Sequence, residues 1–219
     1  MTVTIPTYRQ HGGLDADRLG SYRISASTGA VTLIAARTAT AGQLLNIRRS
    51  SSATTLFSVK HVSAKFMLTT AYTAAQETGC DLIVARSFSA SGTDGTAIDL
   101  GSTVANTGKL LAGFPTSILG ATAGTTRVAT AAAITAGTHT LDANPISVLS
   151  GWSTGVGDTV PDSASGASDG YGVLYDASRS GPLFLAANEG LIIRNLVLMG
   201  AAGVGRWDFI VEWDEAALR

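Results

Sequence analysis

Residues 206–215, RWDFIVEWDE, alternate without a break: Trp207, Phe209, Val211 and Trp213 on one parity, Arg206, Asp208, Ile210, Glu212 and Asp214 on the other. A period of two with bulky apolar groups on one side is the pattern of a half-buried antiparallel strand. Just upstream lie PLFLA (182–186), the turn ANEG, LIIRNLVLM (191–199) and the turn GAAGVG. LIIRNLVLM is apolar on both parities, as a central strand covered on both faces would be. The three segments and their short turns predict a β-meander at the carboxyl end.

Further upstream, LFSVKHVSAKFMLTT (56–70) reads as a long strand whose parity flips near His61, the mark of a β-bulge. DLIVARSF (81–88) and ISVLSGW (146–152) read as strands, LLNIR (44–48) is a short strand candidate, and YGVLYDA (171–177) follows the loop at 153–170. VTLIAA (31–36), KLLAGF (109–114) and TRVATAAAI (126–134) are further strand candidates, TAYTAAQET (70–78) is a short helix candidate, and 153–170 is a long exposed loop. The expected fold is all-β: an antiparallel, jelly-roll-like β-sandwich. Residues 1–29, with Pro6, Gly12-Gly13 and Gly20 and no apolar periodicity, predict an extended N-terminal arm, and residues 30–219 a single sandwich domain.

Composition supports this class. Ala, Gly, Ser and Thr make up 107 of the 219 residues, while Lys and Glu number only three and four. A helical enzyme would need those long charged residues on its exposed faces. Charged residues are 14% of the chain, well under the usual quarter, which suggests surface spent on partners. Residues 1–65 carry a net +6 and residues 66–219 a net −7, so opposite ends favour oppositely charged surfaces. The basic residues are dispersed, which argues against a nucleic-acid groove. No apolar run reaches the length of a membrane span, the amino terminus lacks the pattern of a signal peptide, and the single Cys80 fits a reducing compartment.

Constellations for chemistry are weak. His11, His61 and His139 show no ligand spacing, and Cys80 reads as a buried thiol. No nucleophile elbow exists; SASGASDG (163–170) reads as a loop, and GATAGTTR (120–127) lacks the phosphate-binding lysine. Asp158, Asp162 and Asp169, and separately Asp94 and Asp99, are acids without a defensible cation-loop spacing. Glu212 and Asp214 read as the solvent face of the last strand. Accordingly no catalytic, cofactor or metal residue is assigned. Arg194, flanked by apolar residues, needs either a partner subunit or an intrachain ion pair. The candidate partner-contact residues are Arg9, Arg18, Arg23, Arg37, Arg48, Arg49 and Arg194.

The block GPLFLAANEGLIIRNLVLMGAAGVGRWDFIVEWDE resembles the terminal meander of tailed-bacteriophage virion proteins, through Glu189, Gly190, Ile193, Arg194 and Asn195 and then Trp207, Val211, Trp213 and Glu215. The resemblance covers about the last forty residues and implies a structural protein of a particle assembled in the host cytoplasm. The expected role is a capsid decoration or cement protein, trimeric, bridging neighbouring subunits of the major capsid protein or other virion proteins. The alternative is a collar, tail or fibre component that binds a host-surface glycan, with Trp152, Tyr171 and Tyr175 as aromatic platforms.

Overall fold

The computed structural model describes residues 18–32, 34–38, 40–49, 55–100, 108–110, 114–121, 125–135, 137–161, 170–200 and 202–217. The strands are β1 (Arg18–Ser27), β2 (Gln43–Arg48), β3 (Thr55–Thr70), β4 (Gln76–Ala90), β5 (Thr96–Ala97), β6 (Gly108–Lys109), β7 (Thr126–Val128), β8 (Thr138–Leu141), β9 (Ser147–Ser153), β10 (Thr159–Val160), β11 (Gly172–Asp176), β12 (Leu183–Leu185), β13 (Gly190–Asn195) and β14 (Val204–Ala217). One helical turn, α1 (Ala177–Ser180), follows β11.

They form two antiparallel seven-stranded sheets facing one another, the expected all-β sandwich. Sheet one runs β10-β3-β14-β1-β6, and β12, β11 and β10 pair in succession with the far edge of the long β3. Sheet two runs β5-β7-β2-β13-β4-β8, with β9 extending the β8 edge of β4. The alternation read in β14 is realised. Trp207, Phe209, Val211 and Trp213 are buried between the sheets, with Trp213 stacked between Tyr22 (5.6 Å) and Phe57 (5.8 Å) and Trp207 against Phe66 (5.1 Å). Leu45, Ile47, Leu82, Val84, Leu191 and Ile193 supply the opposing layer. Truncating one of these aromatics would cost about 3–5 kcal/mol.

The predicted bulge is present. The register of β14 on β3 jumps from Trp213↔Val59 to Glu212↔His61, leaving Lys60 as the extra residue. β13 is central in sheet two and buried along its whole length, as its two-sided apolar pattern required.

Several expectations are corrected. The carboxyl meander does not exist: β12 and β14 belong to sheet one, while β13 lies between β2 and β4 in sheet two. The chain therefore crosses the sandwich twice. The first turn is closed by the Glu189 carboxylate accepting from Ala186 N–H (2.8 Å). The second begins at Asn195, whose side-chain amide donates to the carbonyls of Ile34 and Ala35 and so ends the strand before Leu196–Met199. Residues 1–17 of the expected arm lie outside the described residues, but Arg18–Ser27 form β1, hydrogen-bonded along β14, so the sandwich begins earlier than residue 30. The segment 70–78 is no helix: β3 ends at Thr70 and β4 starts at Gln76. There the β-forming flanks and the buried Tyr72 win over alanine's helix preference. VTLIAA gives only a bridge from Val31 to Gly205. Of KLLAGF, Lys109 ends β6 and residues 111–113 lie outside the described residues, TRVATAAAI shrinks to β7, and β10 falls within the expected 153–170 loop, of which 162–169 lie outside the described residues. No helix among the described residues is long and apolar enough to cross a membrane.

Candidate functional site

The two sheets turn different outer faces to solvent. On sheet one the residues between the buried parities of β14, β3, β1 and β11 come together in rungs. The first rung reads Asp176, His61, Glu212, Arg23 across four strands. The next reads Val173, Ser63, Ile210. Along them lies an open groove of about 610 Å³, walled by Tyr171. Two bulges shape it: Lys60 is the extra residue on β3, and the β11 register shifts between Val173 and Tyr175. A bulge re-aims side chains, and here it puts Lys60 and His61 on the same groove.

Charge in the groove is paired. Arg23 Nε lies 3.6 Å from Glu212 Oε1, and Lys60 Nζ lies 3.6 Å from Asp214 Oδ2. Asp176 accepts from Ser178 N–H (2.8 Å) and the Ser178 hydroxyl (2.6 Å), capping α1. Those hydrogen bonds, helped by His61 and Arg179, hold its carboxyl below the ordinary range. Burial raises the Tyr171 phenol above its ordinary value, and Asp208 reinforces this.

The outer face of sheet two is different. Ile83, Ala85, Phe88 and Ile192, flanked by Leu141, form a small second apolar cluster. Beside it Asp81, fully buried, receives Arg194 through Nε (3.1 Å) and Nη2 (2.7 Å) and Arg37 through Nη1 (2.5 Å). At the edge, β9 turns Val148 and Trp152 outward, 49% and 72% exposed, with Ile146 and Val156 also exposed.

The candidate arginines among the described residues are thus scattered rather than gathered. Arg9 lies outside the described residues, and Arg18 is placed by its backbone opposite Ala216. Arg23 lines the groove. Arg37 is part-exposed on Asp81, and Arg48 donates to Ser91 Oγ (2.9 Å). Arg49 and Arg194 are corrections: both are buried and bonded within the chain, Arg49 to the carbonyls of Leu185 and Thr55, Arg194 to Asp81. Of the two fates open to Arg194, the intrachain pair is the one realised. Asp214, read as a solvent-face acid, is on that parity but buried, taking the Ser21 hydroxyl.

Glu215 points into the sandwich and accepts from Ser117 Oγ (2.5 Å), Ile118 N–H and Trp213 Nε1 (2.9 Å). Burial raises its carboxyl above the ordinary range against these hydrogen bonds. Cys80 is buried, and burial pushes its thiol well up, with Asp81 adding to the effect. Asp158 closes its own turn by accepting from Thr154 N–H (2.6 Å) and Gly155 N–H (2.8 Å), while Asp162 and Asp169 lie outside the described residues. Tyr175 is buried with its hydroxyl on the Gly181 carbonyl, so of the three aromatic platforms Trp152 and Tyr171 remain on the surface.

Sequence reasoning placed His61 beside a bulge and Glu212 on the outer parity. It missed Lys60 and Asp176 as their neighbours. The parity flip was the available signal for Lys60, because the inserted residue of a bulge shares a face with the next one. Comparison with protein-family profiles, with curated proteins and with solved structures finds no match to this chain.

Proposed function

We propose that the chain is a structural component of a tailed-bacteriophage particle, a capsid decoration or cement protein that acts by surface contact. The observation that carries this reading is the strip on β9. Val148 and Trp152 project from the outer face of sheet two, and beside them Arg37 and Arg194 are drawn onto the buried Asp81. Exposed apolar side chains gathered on one strand mark an interaction surface, and burying each of them on a partner contributes about 1.5–3 kcal/mol. A low-charge composition supports the reading, since such a surface is cheap to desolvate. The likeness of the carboxyl block supports it through packing residues rather than through a meander. Symmetric copies, a trimer in the simplest case, would multiply a modest contact into firm attachment.

The test is quantitative mass spectrometry of purified particles, with the wild-type chain and Trp152→Ser. A copy number comparable with the capsid subunit, lost with the substitution while the isolated variant still folds, is the expected result. Only a few copies per particle would move the chain to a collar or tail. Absence from particles refutes the proposal.

A further inference from the structure

The groove on sheet one has a chemistry that the assembly reading does not use. Arg23 is paired with Glu212 and Lys60 with Asp214, and Asp176 is engaged in capping α1, so the groove has no surplus positive charge to concentrate an anionic ligand. It is rich in both kinds of hydrogen-bonding group. Arg23 meets Glu212 through Nε and has four further N–H donors. Glu212, Asp176, Ser63 and His61 offer acceptors, and Lys60 offers donors. Beside the polar rung the floor is apolar: Ile210 and the half-exposed Val173 flank Ser63, with the Tyr171 ring as a wall. Arg23, His61, Asp176 and Glu212 stand on paired strands and are positioned before any ligand arrives, while Tyr171 immediately precedes β11. The volume of about 610 Å³ falls within the range of small-ligand sites.

We infer that this groove is a binding site for a neutral oligosaccharide. A pyranose ring has an apolar C–H face and a rim of hydroxyls, each both donor and acceptor. The apolar floor and Tyr171 match the face; the Glu212–Arg23 and Asp176–His61 rung matches the rim. A phosphate or sulfate ligand would call for surplus positive charge, which the paired acids remove. A peptide recognised by strand addition would need an unpaired strand edge, whereas the groove floor is made from the paired interior of the sheet. The groove is on the outer face of sheet one and the β9 strip on the outer face of sheet two, so the two proposals stand or fall separately.

The experiment uses the full chain on an array of neutral hexose and N-acetylhexosamine di- to tetrasaccharides, followed by titration calorimetry with any sugar retained. Wild type should bind at least one neutral glycan. Tyr171→Ala and Glu212→Gln should each weaken binding about tenfold, as expected for the loss of one well-placed contact to a ligand, while Trp152→Ser stays within about twofold. The melting temperature of each variant shows that the sandwich is intact, and NMR shift changes confined to β3, β11 and β14 would place the sugar. No binding of any neutral glycan up to about 10 mM overturns the proposal. So does retention of anionic glycans alone, released by salt, and so does binding that Trp152→Ser abolishes and Tyr171→Ala leaves intact.

Discussion

Replacing Asp81 with alanine tests how the buried charge in sheet two is held. Asp81 is fully buried and faces two guanidinium groups. Arg194, itself 8% exposed at the side chain, makes a two-point contact at 3.1 and 2.7 Å. Arg37, 33% exposed, reaches the same carboxylate at 2.5 Å. In D81A the Arg37 head swings into water at little cost. Arg194 cannot, because β2 and β4 hold its strand on both sides and its remaining acceptor is the Thr38 carbonyl at 3.2 Å. Stranding one buried charge costs about 3–5 kcal/mol. For a chain of this size each kcal/mol is worth about 2–4 °C, so the melting temperature should fall by roughly 6–20 °C. Arg37→Ala breaks a part-exposed pair and should cost only about 0.5–1 kcal/mol. Removing both buried charges, as Asp81→Leu with Arg194→Met, should be milder than D81A alone, because nothing charged is left behind. Urea unfolding followed by fluorescence of the buried Trp207 and Trp213 reads all four proteins. If D81A costs under about 1 kcal/mol, or the double replacement is worse than the single, the account of Arg194 as a charge dependent on Asp81 is wrong.

Two further outcomes follow from buried titratable groups. Because burial raises the Glu215 carboxyl above its ordinary range, the folded chain holds that proton more tightly than the unfolded chain. The group's stability contribution is therefore fullest below about pH 4 and declines as pH rises through the unfolded value toward the raised folded one. Stability of wild type relative to Glu215→Gln should fall over that window, and a relative gain with rising pH would refute the assignment. Cys80, buried with its thiol pushed up, should resist iodoacetamide at neutral pH in the folded chain and react promptly in urea; intact-mass measurement distinguishes the two, and rapid labelling of native protein would contradict its placement.

What depends on neighbours along the chain was legible in the residues alone. The period of two in β14 placed Trp207, Phe209, Val211 and Trp213 inside. The parity flip at His61 located the Lys60 bulge. The two-sided apolar run at 191–199 called for a strand covered on both faces, which is what the chain forms as far as Asn195. Those signals rest on backbone pleat and burial, which any strand expresses locally. Which strands become neighbours is not local. A central strand needs covering, but its pattern does not say by whom, so β13 could be joined in the mind to β12 and β14 although it pairs with β2 and β4. Arg194 needed a counter-charge, but Asp81 lies 113 positions away. The groove is the clearest case: Arg23, His61, Asp176 and Glu212 meet only because β1, β3, β11 and β14 pair in one register. Slipping any of those strands by one residue would turn its groove side chain into the core, and that choice is made by the packing of the whole sandwich.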